Sequence, residues 1–138
     1  MSKTLDALST KLTWQLNELS QPMSVIEQQL VVLEQQVQTS QQHIINASEI
    51  PTTILPEQEM ARLQFILHEQ QQQDTFNTRK TALSSELTTL QAKHLRLKTE
   101  LKRLEQYQDN QRQDLQQQAL LTQYKQADEW SLLHRDRA

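Results

Sequence analysis

No glycine occurs in this chain of 138 residues. Tight hairpin turns and phosphate-cradling loops lean on that residue, because it alone reaches left-handed backbone conformations without a steric penalty. Its absence argues against an α/β enzyme. Glutamine occurs 25 times, and Leu, Lys, Arg and Glu supply most of the remainder. These straight-chain residues lose little rotamer freedom in a helix. An all-α chain of long helices is predicted.

Periodicity divides those helices. Leu83, Leu87, Leu90, His94, Leu97, Leu101 and Leu104 follow one another in alternating steps of four and three, the spacing that keeps one seam on one side of a helix. Beyond Leu104 the same seam passes through Gln108 and Gln111, returns to Leu115 and reaches Gln118. Pro56-Glu57-Gln58-Glu59 reads as the start of this helix, with proline in the first turn and carboxylates at the positive end of the helix dipole. A second helix is predicted over about residues 56–133.

The first helix is predicted over about residues 3–46. Leu5, Leu8, Leu12, Leu16, Leu19, Met23, Ile26, Leu30, Leu33 and Val37 form its seam, which continues through Ser40 and Ile44. Two consecutive steps of four at Leu8, Leu12 and Leu16 predict a stutter that relaxes the supercoil locally. Pro22 removes one backbone donor, so the helix either kinks there or ends near Ser20 and restarts. Asn46 to Leu55, with Pro51 and several short polar or β-branched residues, is the one connection.

Two helices this long across so short a loop are expected to lie antiparallel, as a single coiled-coil hairpin with the longer helix second. A turn centred near Pro51 pairs residues whose numbers sum to about 102, setting Val37 beside Leu67 and Leu16 beside Leu87. Roughly 30 residues of the second helix, about 105–133, then overhang the first by about 45 Å. Such a pair buries a ribbon and no compact core, so stability comes from length.

Charge and side-chain chemistry narrow the function. Residues 1–60 carry two lysines and seven carboxylates, whereas residues 61–138 carry twelve Lys or Arg and ten carboxylates, so the halves differ in sign. There is no cysteine, which excludes disulfides and thiolate metal sites. The start Met1-Ser2-Lys3-Thr4-Leu5-Asp6 lacks an apolar leader, and no stretch approaches the roughly 20 apolar residues of a membrane span. A soluble cytoplasmic protein is expected.

His43, His68, His94 and His134 have no metal-ligand spacing, and no carboxylate pair sits in an apolar setting. No catalytic, cofactor or metal site is predicted, and the chain reads as a non-enzyme. The run Gln70-Gln71-Gln72-Gln73 coincides with a loss of phase between Leu67 and Phe76, a weak point in the pairing. Phe65 lies off the local seam of Met60, Leu63 and Leu67 and is expected at the surface. Lys93, Arg96, Lys98, Lys102 and Arg103 form a basic cluster interrupted by Glu100. It reads as a solvated flank, with nucleic-acid binding the sharper alternative. Leu115, Leu120, Leu121, Tyr124 and Trp130 on the polar overhang look like contacts for another protein, set against the simpler reading of a frayed tail.

The pattern resembles the stalk proteins of type III export machineries, the FliJ family of flagella and the YscO family of injectisomes. The resemblance rests on the hairpin with its longer second helix, on Leu63-Gln64-Phe65-Ile66 just inside that helix, and on the closing Gln126-Ala127-Asp128-Glu129-Trp130. It covers nearly the whole chain, through short and degenerate motifs. It implies a non-enzymatic, cytoplasmic component at the cytoplasmic face of the secretion apparatus. The joined ends of the hairpin would enter the pore of a hexameric export ATPase, and another part would engage the cytoplasmic domain of the membrane export gate. Such proteins also help to route substrates or recycle export chaperones.

The ATPase contact is then expected at Leu115, Leu120, Leu121, Tyr124, Asp128, Glu129 and Trp130, and the gate contact at Phe65. The flagellar gate face places an aromatic, Leu, Ala and His at intervals that here hold Phe65, Glu69, Gln72 and Phe76, so only Phe65 matches. A scaffold or tether unrelated to secretion, and a basic helical nucleic-acid binder, are the alternatives.

Overall fold

The computed structural model describes residues 2–50 and 52–136; Met1, Pro51, Arg137 and Ala138 lie outside the described residues, as do the side chains of Ser2 and Asp136. The chain is all-α. Helix α1 spans Ser2–Ala47 and helix α2 spans Pro56–Asp136, with no strand among the described residues. Pro51, on which the expected turn was centred, is not described. Of the two readings of Pro22, the continuous one holds: α1 runs through it without interruption. Both Pro22 and Glu18, whose carbonyl loses its usual donor four residues on, are exposed, so water can serve that carbonyl.

The chain divides into two compact units, Leu16–Leu95 and the segments Met1–Gln15 with Arg96–Ala138. In the first unit, Ile26, Leu33 and Leu83 are buried together, with Leu30, Phe76, Leu87 and Leu90 packed against them. His43 faces Phe65, Ser40 bonds Glu69 and Glu34 pairs with Lys80. As the α1 number falls its α2 partner rises, so within this unit the helices run in opposite directions.

The register differs from the expected one. Ser40 meets Glu69, where a sum near 102 would have placed it beside about residue 62. The cause lies at the connection. Arg62 Nη1 donates to the Ala47 carbonyl at 3.1 Å and the Glu49 carbonyl at 3.4 Å, while its Nε and Nη2 bond Glu59 Oε2 at 3.2 and 2.6 Å. Helix α1 has no basic residue in its last turn, and Arg62 supplies the cation its C-terminal carbonyls attract. Fixing Arg62 level with Ala47 leaves the first turn of α2 beyond the end of α1.

Burial also redraws the seam. In α2 of this unit the covered positions are Glu59, Arg62, Ile66, Glu69, Gln73, Phe76, Lys80, Leu83, Leu87, Leu90 and His94. They alternate three and four without a break. The phase loss expected between Leu67 and Phe76 is absent, because the inward positions there are polar and the seam stays in step through Glu69 and Gln73. Met60, Leu63 and Leu67, read from sequence as the local seam, are each more than half exposed. A buried carboxylate is tolerated at Glu69 only because donors meet it, as described below.

In the second unit Leu12 and Leu97 are buried, and Leu5, Ser9, Leu101, Leu104, Gln108 and Gln111 are half-buried. Ser9, not Leu8, holds the inward position, and Leu8 is 45% exposed. The expected stutter therefore does not occur. Steps of four and three from Leu5 through Ser9 and Leu12 preserve the same helical phase. Gln108 Nε2 donates to Asp6 Oδ1 at 3.2 Å, and Leu5, Asp6, Gln108, Gln111, Arg112 and Leu115 line one shallow cavity. Pairing thus extends to about Leu115, and the overhang is shorter than the expected 105–133.

Candidate partner-binding surfaces

The first surface lies near the connection, within the unit Leu16–Leu95. Ser40 Oγ is 3.0 Å from the Glu69 carbonyl and 2.9 Å from Glu69 Oε2, and His43 Nδ1 is 3.5 Å from Glu69 Oε1. Glu69 is buried, and these contacts from α1 replace the water it has lost. Phe65 is 43% exposed, off the seam as expected, with its ring centroid 6.3 Å from that of His43. Of the four positions corresponding to the flagellar gate face, Phe65 and Gln72 are exposed, Phe76 packs against the core and Glu69 is buried. Phe65 and Gln72 are thus the two exposed members, and the half-buried Phe76 lines an open cavity with Gln72.

Three further apolar side chains of this region were misplaced by sequence reasoning. Met60, Leu63 and Leu67 sit one position after the inward residues Glu59, Arg62 and Ile66, whereas Phe65 sits one position before Ile66. A residue step is about 100° on a helix, so the two groups occupy opposite flanks of the seam. The signal available in the sequence was the uninterrupted alternation through Glu59, Arg62, Ile66, Glu69 and Gln73, which polar residues disguised.

The second surface is the end of α2. From Arg112 to Arg135 every described side chain is exposed, and the segment remains helical. All seven residues expected to meet an ATPase lie here: Leu115, Leu120, Leu121, Tyr124, Asp128, Glu129 and Trp130. Leu115 borders the cavity beside Leu5 at the end of the paired part, and the other six lie beyond it. Leu120, Tyr124, Ala127 and Trp130 recur at steps of four, three and three on one face, while Leu121 and Leu132 fall on another and Leu133 on a third. Leu132 and Leu133 were not anticipated. The Trp130 and His134 rings stack with centroids 3.8 Å apart, and His134 Nδ1 lies 3.0 Å from the Trp130 carbonyl.

The remaining candidates are dispersed. Lys93, Arg96, Lys98, Lys102 and Arg103 are all exposed, but Lys93, Arg96 and Arg103 fall on one side of α2 while Lys98 and Lys102 fall on another, so the five cations do not make one face. No group of three His, Asp or Glu side chains suited to a metal occurs among the described residues. No helix among the described residues is long and apolar enough to cross a membrane. The Lys80 ammonium, through its hydrogen bond and then its charge, holds the Glu34 carboxyl below its usual range. The chain matches no protein-family model, no curated protein and no solved structure.

Proposed function

We propose that this protein is a non-enzymatic stalk of a type III export apparatus, flagellar or injectisome, acting in the cytoplasm. In this reading it joins a hexameric export ATPase to the cytoplasmic domain of the export gate. The observation that carries the reading is the end of α2. A helix that has left its partner normally turns polar, yet this one keeps Leu120, Leu121, Tyr124, Trp130, Leu132 and Leu133 on several faces. Apolar groups around the whole circumference do not suit one groove in one partner helix. They suit an enclosing channel.

The interleaved glutamines fit that setting. Gln116, Gln117, Gln118, Gln123 and Gln126 can exchange hydrogen bonds with a channel wall, without the desolvation cost that a buried charge would bring. The resulting contacts are many and individually weak, which allows a helix to sit in a ring without locking into one orientation. Asp128 and Glu129 add exposed carboxylates for cations on the ring. Phe65, exposed near the connection, is assigned to the gate, and export chaperones are a further partner of this reading.

Truncation after Gln116 tests the assignment. It removes the unpaired part and keeps Gln108, Gln111 and Leu115, which adjoin α1. The truncated chain should retain its helical circular dichroism and lose stimulation of ATP hydrolysis by the cognate export ATPase. Full stimulation by the truncated chain overturns the stalk reading.

A further inference from the structure

Met60, Leu63 and Leu67 form an apolar stripe that α1 leaves uncovered. Their exposures are 64, 58 and 56%. The spacing of three and then four aligns them on one helix face, one position past the seam, and repeats the i, i+3, i+7 pattern by which a helix anchors in a groove. The stripe ends in charge. Glu57 lies one turn before Met60, and Asp74 lies two turns after Leu67, both exposed. The sole Lys or Arg between them is Arg62, and its guanidinium is held by Glu59 and the carbonyls of Ala47 and Glu49. The face is therefore apolar in the middle and anionic at its ends.

That charge pattern selects the occupant. A second copy meeting this face about a two-fold axis would have to be self-complementary, and the stripe carries no free cation to meet Glu57 and Asp74. An anionic membrane surface would repel both carboxylates. A protein groove with an apolar floor and Lys or Arg at its rim satisfies the three anchors and both carboxylates together.

We infer that Met60, Leu63 and Leu67 are the anchors by which this end of the protein docks into a basic-rimmed apolar groove of a partner protein. Resting on the proposed function, the partner is the cytoplasmic domain of the export gate. The stripe then contributes a contact on the flank opposite Phe65. Because all three anchors are already exposed on a helix, docking requires no rearrangement of the paired helices, and removing the anchors leaves the fold unaffected.

The test is a titration of the full chain with the purified cytoplasmic domain of the cognate export gate, beside the ATPase assay. The L63S/L67S variant should keep wild-type circular dichroism and ATPase stimulation while binding the gate domain about tenfold or more weakly, the scale of losing interface anchors. E57K/D74K should also bind more weakly, and wild-type affinity should fall as salt rises. Wild-type affinity in both variants overturns the inference and leaves the stalk reading standing. So does failure of the wild-type chain to bind the gate domain while it stimulates the ATPase. Loss of ATPase stimulation in the Gln116 truncation is read separately. Stripe-dependent binding to phosphatidylserine vesicles, or stripe-dependent dimerisation, also overturns the inference.

Discussion

Ser40 offers one hydroxyl to two acceptors on Glu69, the backbone carbonyl at 3.0 Å and the carboxylate at 2.9 Å. It thereby fixes a buried carboxylate on α2 against one position of α1. Any slip along the helices would place Glu69 opposite an aliphatic residue without a donor. A polar pair inside an apolar seam can thus set register at some cost in stability.

Ser40→Ala should destabilise the protein by about 1–3 kcal/mol, the cost of leaving a buried acceptor with one donor fewer. The S40A/E69L double substitution should recover much of that loss, because it replaces the polar pair with apolar contact. Urea unfolding of the two single variants and the double variant measures the coupling. Additive losses would mean that the pair does not act as a unit.

Leu8 and Leu12 separate the observed seam from the one that leucine spacing alone suggests. Leu12→Ala should cost about 2–4 kcal/mol because the residue is 7% exposed. Leu8→Ala should cost under about 1 kcal/mol. Ser9→Leu fills a half-buried seam position and should raise the thermal midpoint, whereas a strained core would lower it. Thermal melts of the three variants decide the matter.

Acid should weaken the pairing through Glu34. Its folded-state pKa is depressed by Lys80, so the carboxylate contributes stability at pH values above its unfolded pKa, and that contribution is lost as pH falls through the folded value. Melting temperature should therefore drop between neutral pH and about pH 3, and Glu34→Gln should show a smaller drop. Because both side chains are substantially exposed, high salt should blunt the difference between wild type and variant.

Arg62→Met should loosen the connection without unpairing the core around Ile26, Leu33 and Leu83. The carbonyls of Ala47 and Glu49 lose their guanidinium donor. Faster amide hydrogen exchange confined to residues 44–60 is the expected result. Exchange that rises equally around Leu83 would show that Arg62 supports the whole pairing.

The fold class was legible because leucine marks most of the inward positions from Leu83 to Leu104, and because the lack of glycine leaves little besides helix. The overhang was legible only in part: Gln108 and Gln111 suggested that the partner had already ended, yet both still adjoin α1, and full exposure begins only at Arg112. Between Glu59 and Gln73 the same rule misled. There the inward positions are Glu, Arg, Ile, Glu and Gln, while Met60, Leu63 and Leu67 face out, so hydrophobicity pointed to the wrong flank. The register failed with it, because a loop's midpoint does not reveal that an arginine inside the next helix reaches back to the end of the previous one.

The unbroken alternation of three and four in the Leu16–Leu95 unit makes its length adjustable in quanta. Every seven residues the helix presents the same side inward, so excising Met23–Gln29 from α1 together with Lys80–Glu86 from α2 should rejoin the ends in phase. Each helix of this unit would be about 10 Å shorter while the Ser40 and Glu69 pair and the Arg62 tie keep their places. Cutting six or eight residues would turn the outer flank inward. The seam thus works as a ruler graduated in heptads, and the length of paired helix within this unit is a quantity that insertion and deletion can tune without redesigning the connection.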